Sequence, residues 1–151
     1  MYPSNSAQTP TTQNKTVLVV GQPRTNTIVR ITMPQVELGK PKQLSGVGGL
    51  LGAGLDGVFC MENGDILVAA FVTGQILYLP WDGSTYGDPI VIEEGLDNPT
   101  DLVIGTSSSG TDQSESLYVT TLIWWRIFLF LAGKVVEIPD IRSRIAKKLA
   151  V

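Results

Sequence analysis

The chain has 151 residues, 43% of them hydrophobic and 17% charged, and a formal net charge of −3. That length suits one domain or one piece of a larger one, and the composition can fill a core, which argues against wholesale disorder. The acidic balance, with a pI of about 4.8, argues against a nucleic-acid partner, which would meet a broad basic face. A single cysteine, Cys60, and no histidine exclude an internal disulfide framework, a Cys-rich zinc site, His-based triads and histidine pH switching. Carboxylates, amides, hydroxyls, Lys and Arg are left to carry any chemistry.

Residues 1–14 are polar, with no basic start and no apolar stretch. They read as a flexible arm rather than a secretory signal. With no signal peptide and no membrane span in view, a cytoplasmic location is favoured. Asn14-Lys15-Thr16 fits a glycosylation sequon, which matters only in a secreted protein.

From residue 15 the chain reads as short strands broken by turns, as its 16 Gly and nine Pro suggest. Val17-Leu18-Val19-Val20 and Ile28-Val29-Arg30-Ile31 are strands around a turn at Arg24-Thr25-Asn26. Ile66-Leu67-Val68-Ala69 and Ile76-Leu77-Tyr78-Leu79 repeat that pattern around Thr73-Gly74. A third copy starts at Leu117-Tyr118-Val119-Thr120 and resumes at Gly133-Lys134-Val135-Val136-Glu137-Ile138. Gly54-Leu55-Asp56 recurs as Gly95-Leu96-Asp97. A period of about 40 residues with several strands per unit is a propeller signal.

The second unit is the clearest, with strands expected at 57–61, 65–71, 75–81 and 89–93. Asn63-Gly64 should turn the first pair, since both residues tolerate positive φ. A Gly-rich stretch, 46–54, lacks the Lys-Ser/Thr of a phosphate loop and reads as a crossover. Glu93 and Glu94, adjacent on a strand, point to opposite faces and form no carboxylate pair. Cys60 falls in a presumed core strand.

Two insertions interrupt the third unit: a Ser/Gly-rich loop at 106–115 and an apolar run at 123–132 containing Trp124, Trp125 and Arg126. The run is shorter than the roughly 20 residues that span a bilayer. It reads as a buried or interface segment, with a membrane-surface anchor as the other reading. Residues 139–151 are expected to form an amphipathic helix capped by Asp140, with Ile141, Ile145 and Leu149 on one face and basic residues toward its end. The expected fold is therefore all-β: an arm at 1–14, about three propeller-like blades at 15–138, and a short C-terminal helix.

Gly54-Leu55-Asp56-Gly57-Val58 and Asn63-Gly64-Asp65-Ile66-Leu67-Val68-Ala69 together resemble the "PDG…DxxGxLWVA" segment of the SMP-30/gluconolactonase propellers. Asn98-Pro99-Thr100-Asp101-Leu102-Val103-Ile104-Gly105, followed by Leu117-Tyr118-Val119-Thr120-Thr121, resembles the later "PTxxxFGG…LYVTT" segment. Gly133-Lys134-Val135-Val136 is similar to the strand that follows there. The resemblance covers roughly residues 26 to 138 and corresponds to the C-terminal half of a six-bladed propeller.

The resemblance implies hydrolysis of lactones with one divalent metal, often calcium, on the propeller axis. Of the family's metal ligands only the Asp of "PDG" has a counterpart, Asp56, which makes it the implied metal ligand and catalytic residue. The Glu and Asn of the N-terminal half have none; Glu37 and Asn26 lie in the wrong context. One carboxylate cannot make a calcium site, so a second chain would have to help. Asp56 before Gly57 also reads as plain turn chemistry.

Asp97, Asn98 and Asp101, on the loop entering the third unit, are the next candidates, for substrate binding. Trp81 and Trp124 could line an apolar ligand pocket, or pack a core or interface. Closed propellers have about four to eight blades, so a three-unit arc leaves two open faces. It should pair with a second copy as a homodimer, close unusually, or be part of something larger. Two classes of function stay open. One is a small-molecule enzyme, either a lactonase or a metal-free pocket for cyclisation or isomerisation. The other is a non-catalytic truncated paralogue or self-associating binding module.

Overall fold

A computed structural model describes residues 16–33, 37–44, 54–108, 115–123 and 132–150. Eleven strands and one helix fall within them. The strands form three antiparallel sheets that follow one another along the chain.

The middle sheet shows why. It holds β5 (Leu55–Cys60), β6 (Ile66–Ala70), β7 (Gln75–Leu79) and β8 (Ile90–Glu93), each paired with the next in sequence. β6 is Ile-Leu-Val-Ala-Ala, and every one of its residues is buried. Side chains alternate faces along a strand, so a strand buried throughout must be covered on both sides. Leu67, Ala69, Ile76 and Tyr78 pack with Leu102, Leu117, Val119 and Ile138 of the last sheet. Ile66, Val68, Leu77 and Leu79 pack with Ile28 and Leu44 on the other side. Each large apolar side chain so buried contributes roughly 1.5–3 kcal/mol. The three sheets are thus layers, with the middle one as the shared core.

The first sheet has β1 (Thr16–Gln22) and β2 (Thr27–Met33) in full antiparallel register. Two short strands, β3 (Glu37–Leu38) and β4 (Lys42–Gln43), both pair with β2, at opposite ends of it. The last sheet has β9 (Pro99–Thr106), β10 (Glu115–Ile123) and β11 (Ala132–Ile138) in the order β11-β10-β9. Only the middle sheet therefore has four strands in succession. The first strands of the three sheets lie side by side, β1 beside β5 and β5 beside β9.

The expected strands lie close to the observed ones, and several details differ. Asn63-Gly64 does turn the β5–β6 hairpin, but only Gly64 has positive φ, at 93°. Asn63 instead accepts the Asp65 backbone N–H on its side chain at 3.2 Å. Cys60 is exposed rather than in the core, because it closes β5 at the sheet's end. Glu93 is ion-paired with Arg144.

The helix, α1 (Ile141–Leu149), buries Ile141 and Ile145 in the core shared by the middle and last sheets. Leu149 does not join them; it is 52% exposed and lines a cavity with Asp65 and Tyr78. Asp140 makes no side-chain cap and adopts a left-handed backbone with φ 54°. No helix among the described residues is long and apolar enough to cross a membrane. The arm, the Gly-rich 46–53 stretch and most of the two insertions, with Trp124 and Trp125, lie outside the described residues.

Candidate functional site

The strand registers sort the candidate residues by end. Leu55, Ala70 and Gln75 are cross-strand neighbours at one end of the middle sheet; Cys60, Ile66 and Leu79 are neighbours at the other. At about 3.3 Å per residue, the two ends stand roughly 15 Å apart. Asp56 starts at the first end. Trp81, just past Leu79, lies at the second.

Both strands that carry the candidate carboxylates are irregular where those carboxylates sit. Leu55 pairs with Ala70 and Val58 with Val68, so β5 holds one extra residue around Asp56 and Gly57. Pro99 pairs with Thr121 and Asp101 with Thr120, so β9 holds one extra residue at Thr100. Such bulges bend a strand and re-aim its side chains. The Asp-Gly step is thus part of a strand, and the turn reading of Asp56 is corrected on that point.

Gly57 lets the two strands meet. A Cβ there would stand 2.7 Å from Asp101 Cα and 2.7 Å from Thr100 O. No larger residue fits without displacing β9 backbone. As a result Asp56 and Asp101 come close enough to interact electrostatically. Partial burial, and after it the negative charge of Asp101, push the Asp56 carboxyl above the ordinary Asp range. Both residues remain exposed.

Asp101 is held by its neighbours. Its Oδ1 accepts the Leu102 N–H at 2.8 Å, and its backbone N–H donates to Thr120 Oγ1 at 3.0 Å. The hydroxyls of Thr100 and Thr120 share a hydrogen bond of 2.8 Å. These two threonines went unassigned in the sequence, although "PT" and "LYVTT" contain them. Their role depends on a cross-strand pairing that no local pattern displays.

Asn98 sits at the same end, in a left-handed conformation with φ 43°. Its amide nitrogen donates to Phe71 O at 3.0 Å, tying the β9 approach to the β6–β7 turn. Asp97 is drawn away by Lys134, at 2.9 Å. Gly74, with φ 68°, lies so close to Leu96 that a Cβ would stand 2.4 Å from its carbonyl oxygen. Two buried hydroxyls near this end, those of Thr73 and Thr121, have no hydrogen-bond partner. Buried polar groups are almost always satisfied, so this end carries unspent hydrogen-bonding capacity.

Trp81 is elsewhere and otherwise engaged. The Arg30 guanidinium stacks 4.2 Å over its ring, and Tyr86 packs 4.9 Å away. Arg30 also donates to Tyr86 Oη at 3.1 Å and to Gly64 O at 3.3 Å. This group clasps the first sheet to the middle one. Beside it Asp65, only 6% exposed, accepts hydrogen bonds from Tyr78 Oη, from Asn63 Nδ2, and from the Trp81 backbone N–H at 2.7 Å. Burial, with the Asp65 hydrogen bond adding to it, pushes the Tyr78 hydroxyl well above its usual pKa.

Two cavities lie at this second end, against α1. One, of about 180 Å³, is lined by Phe59, Cys60 and Ile104 among others. The other, of about 230 Å³, is lined by Asp65, Tyr78 and Ile145 among others. Neither touches Asp56 or Asp101.

A hard cation such as Ca²⁺ takes about six to eight oxygens. The described residues offer it Asp56 and Asp101, with Asp101 Oδ1 already committed to a backbone N–H. Among them no group of three or more Cys, Asp or Glu is gathered for a metal. The donor set of one chain does not fit the ion.

No protein-family model, curated protein or solved structure matches this chain.

Proposed function

We propose that this chain is an arc of a propeller of the SMP-30/gluconolactonase kind, acting on a small molecule, with lactones as the substrate class. The single observation that carries the reading is the meeting of Asp56 and Asp101 at bulges of adjacent first strands. The order of the sheets along the chain and the adjacency of β1, β5 and β9 support the radial arrangement. A homodimer that completes the ring belongs to the same reading.

In this reading Asp56 is the general base. Its raised pKa makes it a stronger base than an ordinary Asp. It takes a proton from a water as that water's oxygen bonds to the lactone carbonyl carbon. The ring C–O bond then breaks, and the departing ring oxygen takes the proton back, giving a hydroxy acid. Partial burial, and after it the like charge of Asp101, keep Asp56 basic. Thr100 and Thr120 position Asp101.

The test is hydrolysis of a six-membered sugar lactone, followed as acid release in weak buffer. Asp56→Asn should lower kcat/KM by about 100-fold or more, the usual contribution of a general base. The acid limb of the wild-type pH profile should lie above the ordinary Asp value of 3.8. Hydrolysis that Asp56→Asn leaves unchanged would refute the assignment.

A further inference from the structure

At the end of the middle sheet away from Asp56, the cavity of about 180 Å³ joins apolar and charged walls. Phe59, Met61 and Ile104 line it, and all three are partly buried against the core shared by the middle and last sheets. Its floor is therefore an outward continuation of that core. An apolar cavity of about 150 Å³ takes up benzene, so this one has room for a six-membered ring on a short stem.

The other walls carry charge. Glu115, at the start of β10, is ion-paired with Arg142 Nε in the first turn of α1. Glu62, in the β5–β6 turn, lines the same cavity and is attracted to the same guanidinium. Its carboxylate forms no ion pair and no hydrogen bond among the described residues. Two carboxylates thus attend one guanidinium, and one negative charge is left over above an apolar floor. The neighbouring cavity of about 230 Å³ shares Met61 and Arg142 but differs in this respect. Its carboxylate, Asp65, is already taken by Tyr78, Asn63 and the Trp81 backbone.

We propose that the smaller cavity is a binding site for a small organic cation, a primary ammonium on an apolar body about the size of benzene. The ammonium N–H groups donate to the Glu62 carboxylate, and the body lies on Phe59, Met61 and Ile104. Charge complementarity selects this occupant. An ammonium gains a charge-assisted hydrogen bond to Glu62, and such bonds are among the stronger ones. A neutral alcohol forfeits the ionic part of that contact, and an anion would stand against both Glu62 and Glu115. Arg142 comes from the helix and Glu62 from the middle sheet, so an occupied site also ties α1 to the sheet. The site is distinct from the Asp56–Asp101 pair, and the inference does not rest on lactone chemistry.

Titration of the full chain with benzylammonium, followed by backbone amide shifts in nuclear magnetic resonance, tests it. The shifts should saturate and centre on residues 59–62, Ile104 and Arg142. Benzyl alcohol should need about tenfold more for half-saturation, the worth of a hydrogen bond to a charged group, and benzoate more still. Glu62→Gln should raise the half-saturating concentration of benzylammonium by about the same factor and leave that of benzyl alcohol unchanged. Glu62→Lys should reverse the order of benzylammonium and benzoate. Both variants replace a side chain that no hydrogen bond holds, so the fold is kept.

The absence of saturable shifts at these residues, equal affinity for benzylammonium and benzyl alcohol, or a Glu62→Gln protein that binds benzylammonium as the wild type does would each overturn the inference. Shifts centred on Asp56 and Asp101 would overturn it as well, by assigning the cation to the carboxylate pair at the other end.

Discussion

Asp65 and Asp56 are nine positions apart on the same hairpin and have opposite surroundings. Asp65 is buried and accepts hydrogen bonds from Tyr78, Asn63 and the Trp81 backbone. Its charge is used up in holding β5, β6 and β7 together. Asp56 is exposed, sits on a bulge, and faces a second carboxylate instead of donors. A carboxylate surrounded by donors is a structural group, and one set beside a like charge is kept basic and available. Both begin as an Asp next to a Gly, so the neighbouring residues alone do not tell them apart.

The contrast breaks most visibly at Asp65. Asp65→Ala should cost about 3 kcal/mol in urea unfolding, because it leaves buried donors of Tyr78 and Trp81 without an acceptor. A loss below about 1 kcal/mol would mean that water replaces the carboxylate, and the distinction would fail.

Gly57→Ala tests the other side. The new methyl must push β9 away from β5, and we expect a loss of about 2 kcal/mol by denaturant titration, in the range of overpacked cores. The same substitution should move the acid limb of the hydrolysis profile down toward the ordinary Asp value, since it parts Asp56 from Asp101. A stability loss with an unmoved profile would show that Asp101 does not act on Asp56.

A third carboxylate sharpens the comparison along the pH axis. Glu137 accepts hydrogen bonds from Ser107, Ser116 and the Ser108 N–H, the last at 3.0 Å. Those from Ser108 lead in holding its pKa down at about 2, against an ordinary 4.5. Its folded pKa lies below its unfolded one, so the unfolded chain binds more protons in that window. Its contribution is present above pH 4.5 and is lost as pH falls toward 2. Glu137→Gln should flatten the acid side of a melting-temperature profile, and an unchanged profile would remove Glu137 as a source of acid sensitivity.

The smallest effect belongs to Asp56. Its folded pKa is raised, so its favourable contribution is present at low pH and fades as pH rises through that pKa. Asp56→Asn should therefore leave stability at neutral pH within about 0.5 kcal/mol of the wild type, or raise it slightly, as for other exposed sites. A large loss would place Asp56 with Asp65 among the structural carboxylates.

Much of the strand order was legible. Alternating and continuous apolar runs bounded by Gly, Asn and Thr located β1, β2, β6, β7 and β10 to within a few residues, because those signals are local. The amphipathic face of α1 was legible for the same reason at Ile141 and Ile145. It overshot at Leu149, which is exposed beside a cavity instead of packed in the core. The short β3 and β4 were not legible, since two residues carry no periodicity.

At the candidate site the residue types could be named, but their grouping could not. Asp97 and Asp101 looked alike on one loop. Lys134, far along the chain, draws Asp97 off, and the bulge at Thr100 places Asp101 beside Gly57. Trp81 likewise could line a pocket or pack an interface, and the Arg30 of another sheet that stacks on it could not be named from the sequence.

The amino-acid order thus settles that the chain makes short antiparallel strands in three successive units with a terminal helix, since strand periodicity and turn chemistry act over a few residues. Which carboxylate is buried and which pair meets follow from the stacking of the sheets. They depend on contacts between residues that are distant in sequence, where one extra residue in a strand redirects a side chain and one missing Cβ lets two strands touch.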